Sequence, residues 1–224
     1  RRPHIGTEPD AGPGFTSGDD LVQAGKGPAA DKQDVGGVNL QEFLLRMLAS
    51  TLWRHRGNGT FHEIETVTYM LNGEFEHQDS TGAKGIMTSG DVQWMKTGRG
   101  IIHSEMPAMK EGKLLGFQLW INMPAKMKKN KPEYLYIKGN ELGEHKDSEK
   151  IVKVIAGKYK KAEGPEKNHN VDPIYFHVIL NEGKQFNCDV PSEHNSFVYL
   201  LKGELNIGEK SHNKTADSNL ILLK

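Results

Sequence analysis

Residues 103–105 read His-Ser-Glu. In an extended strand, side chains two positions apart share a face, so His103 and Glu105 can aim at one point. Such a pair is either a strand-face histidine hydrogen-bonded to a nearby glutamate or part of a metal site. Two more imidazoles stand upstream: His55 in Trp53-Arg54-His55-Arg56-Gly57 and His62 in Phe61-His62-Glu63-Ile64-Glu65. Three neutral imidazoles and one carboxylate suit a divalent transition metal such as iron, nickel, copper or manganese. Positions would stay open for water, dioxygen or a chelating substrate. Structural zinc is disfavoured, because the only thiol, Cys188, is remote in sequence.

The elements that must position these residues read as β. Glu65-Thr66-Val67-Thr68-Tyr69-Met70-Leu71 is β-branched and aromatic, and Asn72-Gly73 after it is a hairpin signal. Glu74–His77 then alternates as the return strand. Further turns fall at Asp79–Gly82, Ser89–Asp91 and Thr97–Gly100, with strands at Val92–Met95, Ile101–His103 and 115–122. Short strands at this spacing predict a sandwich or barrel, with Gly98-Arg99-Gly100 bringing the His103 strand to a barrel mouth. Residues 1–38 are rich in Gly, Pro, Asp and Lys and show no period, which predicts a poorly ordered segment. Residues 39–53 carry a helical apolar stripe that two strands could also absorb. Residues 126–150 are dominated by Lys, Pro and Glu and read as a connection.

The second half echoes the first. Ser196–Leu205 (SFVYLLKGEL) repeats the frame of Thr66–Phe75 (TVTYMLNGEF), and Asn219–Lys224 repeats Asp91–Lys96 at nearly the same offset. This predicts a duplicated β-barrel unit: a first barrel over 39–125 and a second, incomplete one over 151–224. His177 and His194 in the second half lack ligand spacing, so no second metal is expected there.

Composition narrows the partners. The 29 Lys+Arg equal the 29 Asp+Glu, which disfavours coating nucleic acid or an anionic membrane. No run approaches the length of a membrane span. One cysteine excludes an internal disulfide framework and fits a reducing compartment. The sequence starts at Arg1, so a removed targeting signal remains compatible with it.

The stretches ETVTYMLNGEFEHQD (65–79), GDVQWMKTGRGIIHSEMP (90–107) and GFQLWINMPAK (116–126) together resemble the pirin family. The resemblance implies an all-β bicupin: two cupin β-barrels, with one metal in the first. The family's ligands are an H-x-H pair on one strand and an H-x-E pair on another. The second pair falls on His103 and Glu105. For the first, the family pattern H-P-H-R-G-[IF]-E-T-V meets WRHRGNGTFHEIETV here. Aligning on His55-Arg56-Gly57 opens a gap before Ile64. Counting back from Glu65 without a gap puts Gly59 and Phe61 at the ligand positions and leaves His62 one residue off, on the other face. The expected ligand set is His55, His62, His103 and Glu105, with His62 ranked above His55. Glu65 is expected in a supporting role, and Trp94 and Trp120 in the barrel core.

Two functions follow from the resemblance. One is a redox-responsive regulatory binding protein of nucleus and cytoplasm. It would be monomeric, hold a divalent metal, Fe(II) first, and meet a transcription or signalling factor. The alternative is a metal-dependent dioxygenase of the quercetin 2,3-dioxygenase kind, with a flavonol-like substrate whose proton Glu105 would accept as the catalytic residue.

Overall fold

The computed structural model describes residues 58–109, 111–167, 171–208, 214–215 and 219–223. The segments expected as poorly ordered (1–38) and helical (39–53), and His55, lie outside the described residues. Those described from 58 to 190 form one unit and those from 191 onward belong to another.

The fold is all-β, and two turns of 3-10 helix are the only helix among the described residues. In the first unit, β1 (Asn58–Phe61), β2 (Ile64–Asn72), β3 (Phe75–Asp79), β4 (Lys84–Met87), β5 (Val92–Lys96), β6 (Ile101–Pro107), β7 (Leu115–Asn122) and β8 (Glu133–Ile137) make two antiparallel four-stranded sheets. One has the order β1-β6-β3-β4 and the other β7-β2-β5-β8. β9 (Gly143–Lys146), β10 (Lys150–Ala156), β11 (Lys158–Tyr159), β12 (Ala162–Glu163) and β13 (Tyr175–Leu180) follow, with β13-β10-β9 as a third sheet.

The Asn72-Gly73 turn is not the hairpin that its sequence predicts. β2 pairs with β5 and β7, whereas β3 pairs with β4 and β6, so the turn carries the chain from one sheet to the other. A type I′ hairpin needs positive φ at both central residues. Only Gly73 has it, at +94°, and a side chain there would collide with the Lys113 carbonyl and the Met109 sulfur. The expected connection 126–150 also reads differently. Glu133-Tyr134-Leu135-Tyr136-Ile137 completes the second sheet beside β5, a strand masked in sequence by its charged flanks.

β5 is buried along its whole length because its sheet is covered on both faces. On one face, Val67, Tyr69, Val92, Trp94 and Ile137 pack with Leu142, Ile155 and Ala156. That shared core is why β10 clusters with residues 58–137, although the sequence suggests a domain starting at 151. Glu65 faces the same way and accepts from Trp94 Nε1 at 2.7 Å, the supporting role expected for it. The opposite face of β5 carries Gln93 and Met95 toward the first sheet.

In the other unit, β14 (Ser196–Leu200), β15 (Leu205–Asn206), β16 (Lys214–Thr215) and β17 (Asn219–Leu223) form two pairs, β14-β17 and β15-β16. The repeat is structural. Thr66 pairs with Met95 and Tyr69 with Val92, while their echoes pair as Ser196 with Leu223 and Tyr199 with Leu220.

Asp91 ties the first unit together. Its carboxylate accepts from Thr88 N and Oγ1, from Tyr136 OH at 2.6 Å and from Gly139 N at 2.8 Å. Burial works against the charged form, but the hydrogen bonds from Tyr136, Thr88 and Gly139 prevail and hold its pKa below the ordinary 3.8. Asp91→Ala is expected to cost roughly 2 kcal/mol in urea unfolding, since it removes a buried carboxylate that accepts from three partly exposed residues at once. A carboxyl with a depressed folded pKa stabilises at pH values above its unfolded pKa, and that contribution fades as pH falls below 3.8. Asp91→Asn should therefore flatten the acid limb of the stability profile.

Candidate functional site

The inner face of the first sheet is polar. Along β6 the residues alternate, with Ile101, His103 and Glu105 buried and Ile102 exposed. β3 does the same with Phe75, His77 and Asp79. The antiparallel register sets His77 opposite Glu105 and Asp79 opposite His103, so two imidazoles and two carboxyls form a buried rectangle.

Each corner has a defined environment. His77 donates Nε2–H to Asp79 Oδ2 at 2.9 Å, and its Nδ1 lies 4.0 Å from Glu105 Oε1. Asp79 Oδ1 also accepts from Thr81 N and Oγ1 in the β3–β4 turn. Burial lowers the His77 pKa below 6.5, with Asp79 pulling the other way. Burial pushes the Glu105 carboxyl up to about 7, against the pull of the Gln93 amide.

The second sheet closes over this face. Gln93 Nε2 donates to Glu105 Oε1 at 2.7 Å, and Tyr134 OH donates to Gln93 Oε1 at 3.2 Å. The Tyr134 ring stacks on His77, with centroids 4.4 Å apart and planes at 12°. From β1, Phe61 stacks on His103 at 4.6 Å and meets Trp120 of β7 edge-on at 5.0 Å. Trp120 is anchored through its Nε1–H to Gln118 Oε1.

Of the expected ligands, His103 and Glu105 share this buried face. His62 does not join them: it is exposed in the link between β1 and β2, next to Glu63 at φ +63°. The β1–β6 register explains why. Gly59 pairs with His103 and Phe61 with Ile101, so positions 59 and 61 face inward, as the gapless count from Glu65 has it. Lys128 and Lys129 fold back onto Glu63, at 3.7 and 2.7 Å.

Sequence reasoning missed His77, Gln93 and Tyr134. His77-x-Asp79 has the same i, i+2 spacing as His103-x-Glu105 and could have been found by that signal. Gln93 and Tyr134 carry none, because nothing in their local sequence says which sheet they will face.

An all-β fold in which paired sheets enclose a histidine- and carboxylate-bearing strand is of the cupin type. The family model described as Pirin matches residues 49–121. A pirin-like protein of Caulobacter vibrioides is 39% identical over 155 residues, covering 68% of this chain and 54% of that protein. The crystal structure of a quercetin 2,3-dioxygenase from Acinetobacter baumannii aligns with a TM-score of 0.69 at 27% identity, covering 80% of this chain and 63% of that one. A bacterial pirin from Escherichia coli, solved with nickel(II), shares the fold at 21% identity and a TM-score of 0.52, over 75% of this chain and 66% of that one. The chain belongs to the pirin family. It spans about half the length of the curated relatives it matches.

The family implies a divalent metal, and the donor set tests whether these residues fit one. Among the described residues, no three His, Cys, Asp or Glu side chains converge in an arrangement that can hold an ion. The carboxyl of Glu105 is engaged by Gln93, and a phenyl ring covers His103. The described residues thus supply two expected ligands and do not fit a metal as they stand.

What they do make is a polar network between two sheets. Gln93→Ala should destabilise by about 3 kcal/mol, because it strands Glu105 and Tyr134 and opens a cavity. Tyr134→Phe keeps the stack on His77 and should cost about 1 kcal/mol. Urea unfolding of both single variants and the double variant checks this, the double costing less than the sum because the two residues share one hydrogen bond.

Proposed function

We propose that this chain acts as a pirin-type binding protein and not as a flavonol dioxygenase. The observation that carries the reading is Phe61, whose ring lies over His103 at a position where the pirin-family pattern has a metal ligand. Among the described residues, His103 and Glu105 are the expected ligands that meet on this face, and two by themselves are too few to fix an ion that must also orient a chelating substrate and dioxygen. As a binding protein, the chain would meet a protein partner through its surface, and the buried network would keep the two sheets in register. The redox-responsive iron role needs ligands beyond those the described residues supply, so this reading does not rest on iron.

The dioxygenase remains the second reading, favoured by the A. baumannii neighbour of that name. One experiment separates the two. Purified protein is mixed with quercetin after loading with Fe(II), Ni(II), Mn(II) or Cu(II), and oxygen uptake is followed. The expected result is no uptake beyond the metal-only blank. Uptake that disappears in Glu105→Gln would overturn the proposal in favour of the dioxygenase.

A further inference from the structure

The same geometry says why the donor set is short. β1 runs antiparallel to β6, with Gly59 across from His103 and Phe61 across from Ile101. Positions 59 and 61 are two apart on one strand, so they share the face that His103 and Glu105 occupy. Directly opposed residues in an antiparallel pair have Cβ atoms roughly 5 Å apart, within reach for two side chains to hold one ion. Position 59 has no side chain. Position 61 has a phenyl ring, which carries no donor atom and fills the space between His103 and Trp120, with centroids at 4.6 and 5.0 Å.

We propose that Gly59 and Phe61 make this interior a metal-free one, with aromatic packing in place of ligation, and that among the described residues these two positions decide the difference. The inference deepens the binding-protein reading and rests on it. His103 and Glu105 already sit buried on neighbouring inner positions of β6, and the register supplies positions 59 and 61 opposite. Restoring donors there completes a set of three imidazoles and one carboxylate on one inner face. His77 does not complete the set: its Nε2–H is held by Asp79, and its buried Nδ1, 4.0 Å from Glu105 Oε1, forms no three-donor metal group among the described residues.

The test uses the full chain and Co(II), whose visible absorption reports ligand number, with elemental analysis for stoichiometry. Wild type is expected to show no saturable binding. Gly59→His/Phe61→His is expected to bind one ion per chain, and adding His103→Ala or Glu105→Ala should abolish that gain. Circular dichroism confirms folding. If the double variant fails to fold, Phe61→His alone offers three donors and should bind Co(II) measurably where wild type does not. Stoichiometric binding by wild type that is lost in His103→Ala would overturn the proposal, and His55→Ala would show whether His55 supplies the missing donor. A folded double variant that stays metal-free would also overturn it, by showing that something other than positions 59 and 61 bars the ion. That last outcome leaves the binding-protein reading intact, whereas quercetin-dependent uptake by wild type would end that reading.

Discussion

A carboxyl group taken out of water must find a hydrogen bond or carry a proton; Glu105 finds its bond on Gln93, while burial pushes its pKa up to about 7. The 2.7 Å bond from Gln93 is the contact through which the two sheets of the first unit recognise each other in polar terms. Tyr134 then has a purpose beyond filling space: its hydroxyl occupies the acceptor that Gln93 has left, and its ring lies flat on His77. Removing any member exposes the desolvation cost of the next, so the network behaves as a unit. The apolar cores can only say that the sheets should be close. This chain of polar contacts says which residue of one sheet lies over which residue of the other.

β5 links that network to the rest of the fold. Gln93 and Trp94 are successive residues, so they point to opposite faces: one toward the Glu105 carboxyl, the other into the apolar cluster with Ile155 and Ala156. The strand cannot shift along its axis without disturbing both. The pairing of β14 with β17 repeats the register of β2 with β5, so the pairing pattern of the two strands was used twice in the chain.

The all-β class, most of the strands and the duplication were legible in the sequence because alternation and β-branched runs survive without any tertiary context. The Asn72-Gly73 corner was misread for a physical reason. A local turn signal reports that the chain reverses, not which strand it will pair with afterwards, and here long-range pairing of β3 with β6 prevailed. β8 was hidden by lysines that flank it. Within the site, His103 and Glu105 were readable because both ligand types lie on one strand. His77 and Asp79 have identical spacing, but within Glu74–Asp79 their alternation reads equally as an ordinary return strand. Gln93 and Tyr134 gained their roles only when the second sheet came to lie over the first. His62 was drawn into the site by its residue type, while its position in the link keeps it exposed.

The link between β1 and β2 has a consequence for how such chains diverge. Its residues connect a strand whose inward positions are 59 and 61 to a strand anchored on both sides by β5 and β7. With β2 pinned, the parity of the link's length decides which β1 residues face inward. An odd change in length exchanges the inner and outer sets of β1, bringing an outward residue such as Thr60 to the inside. An even change leaves the sets as they are. Gain or loss of an interior donor in this part of the molecule can therefore follow from a small insertion or deletion, with no substitution at all, and comparison of relatives residue by residue will misplace it unless the count from Glu65 is kept.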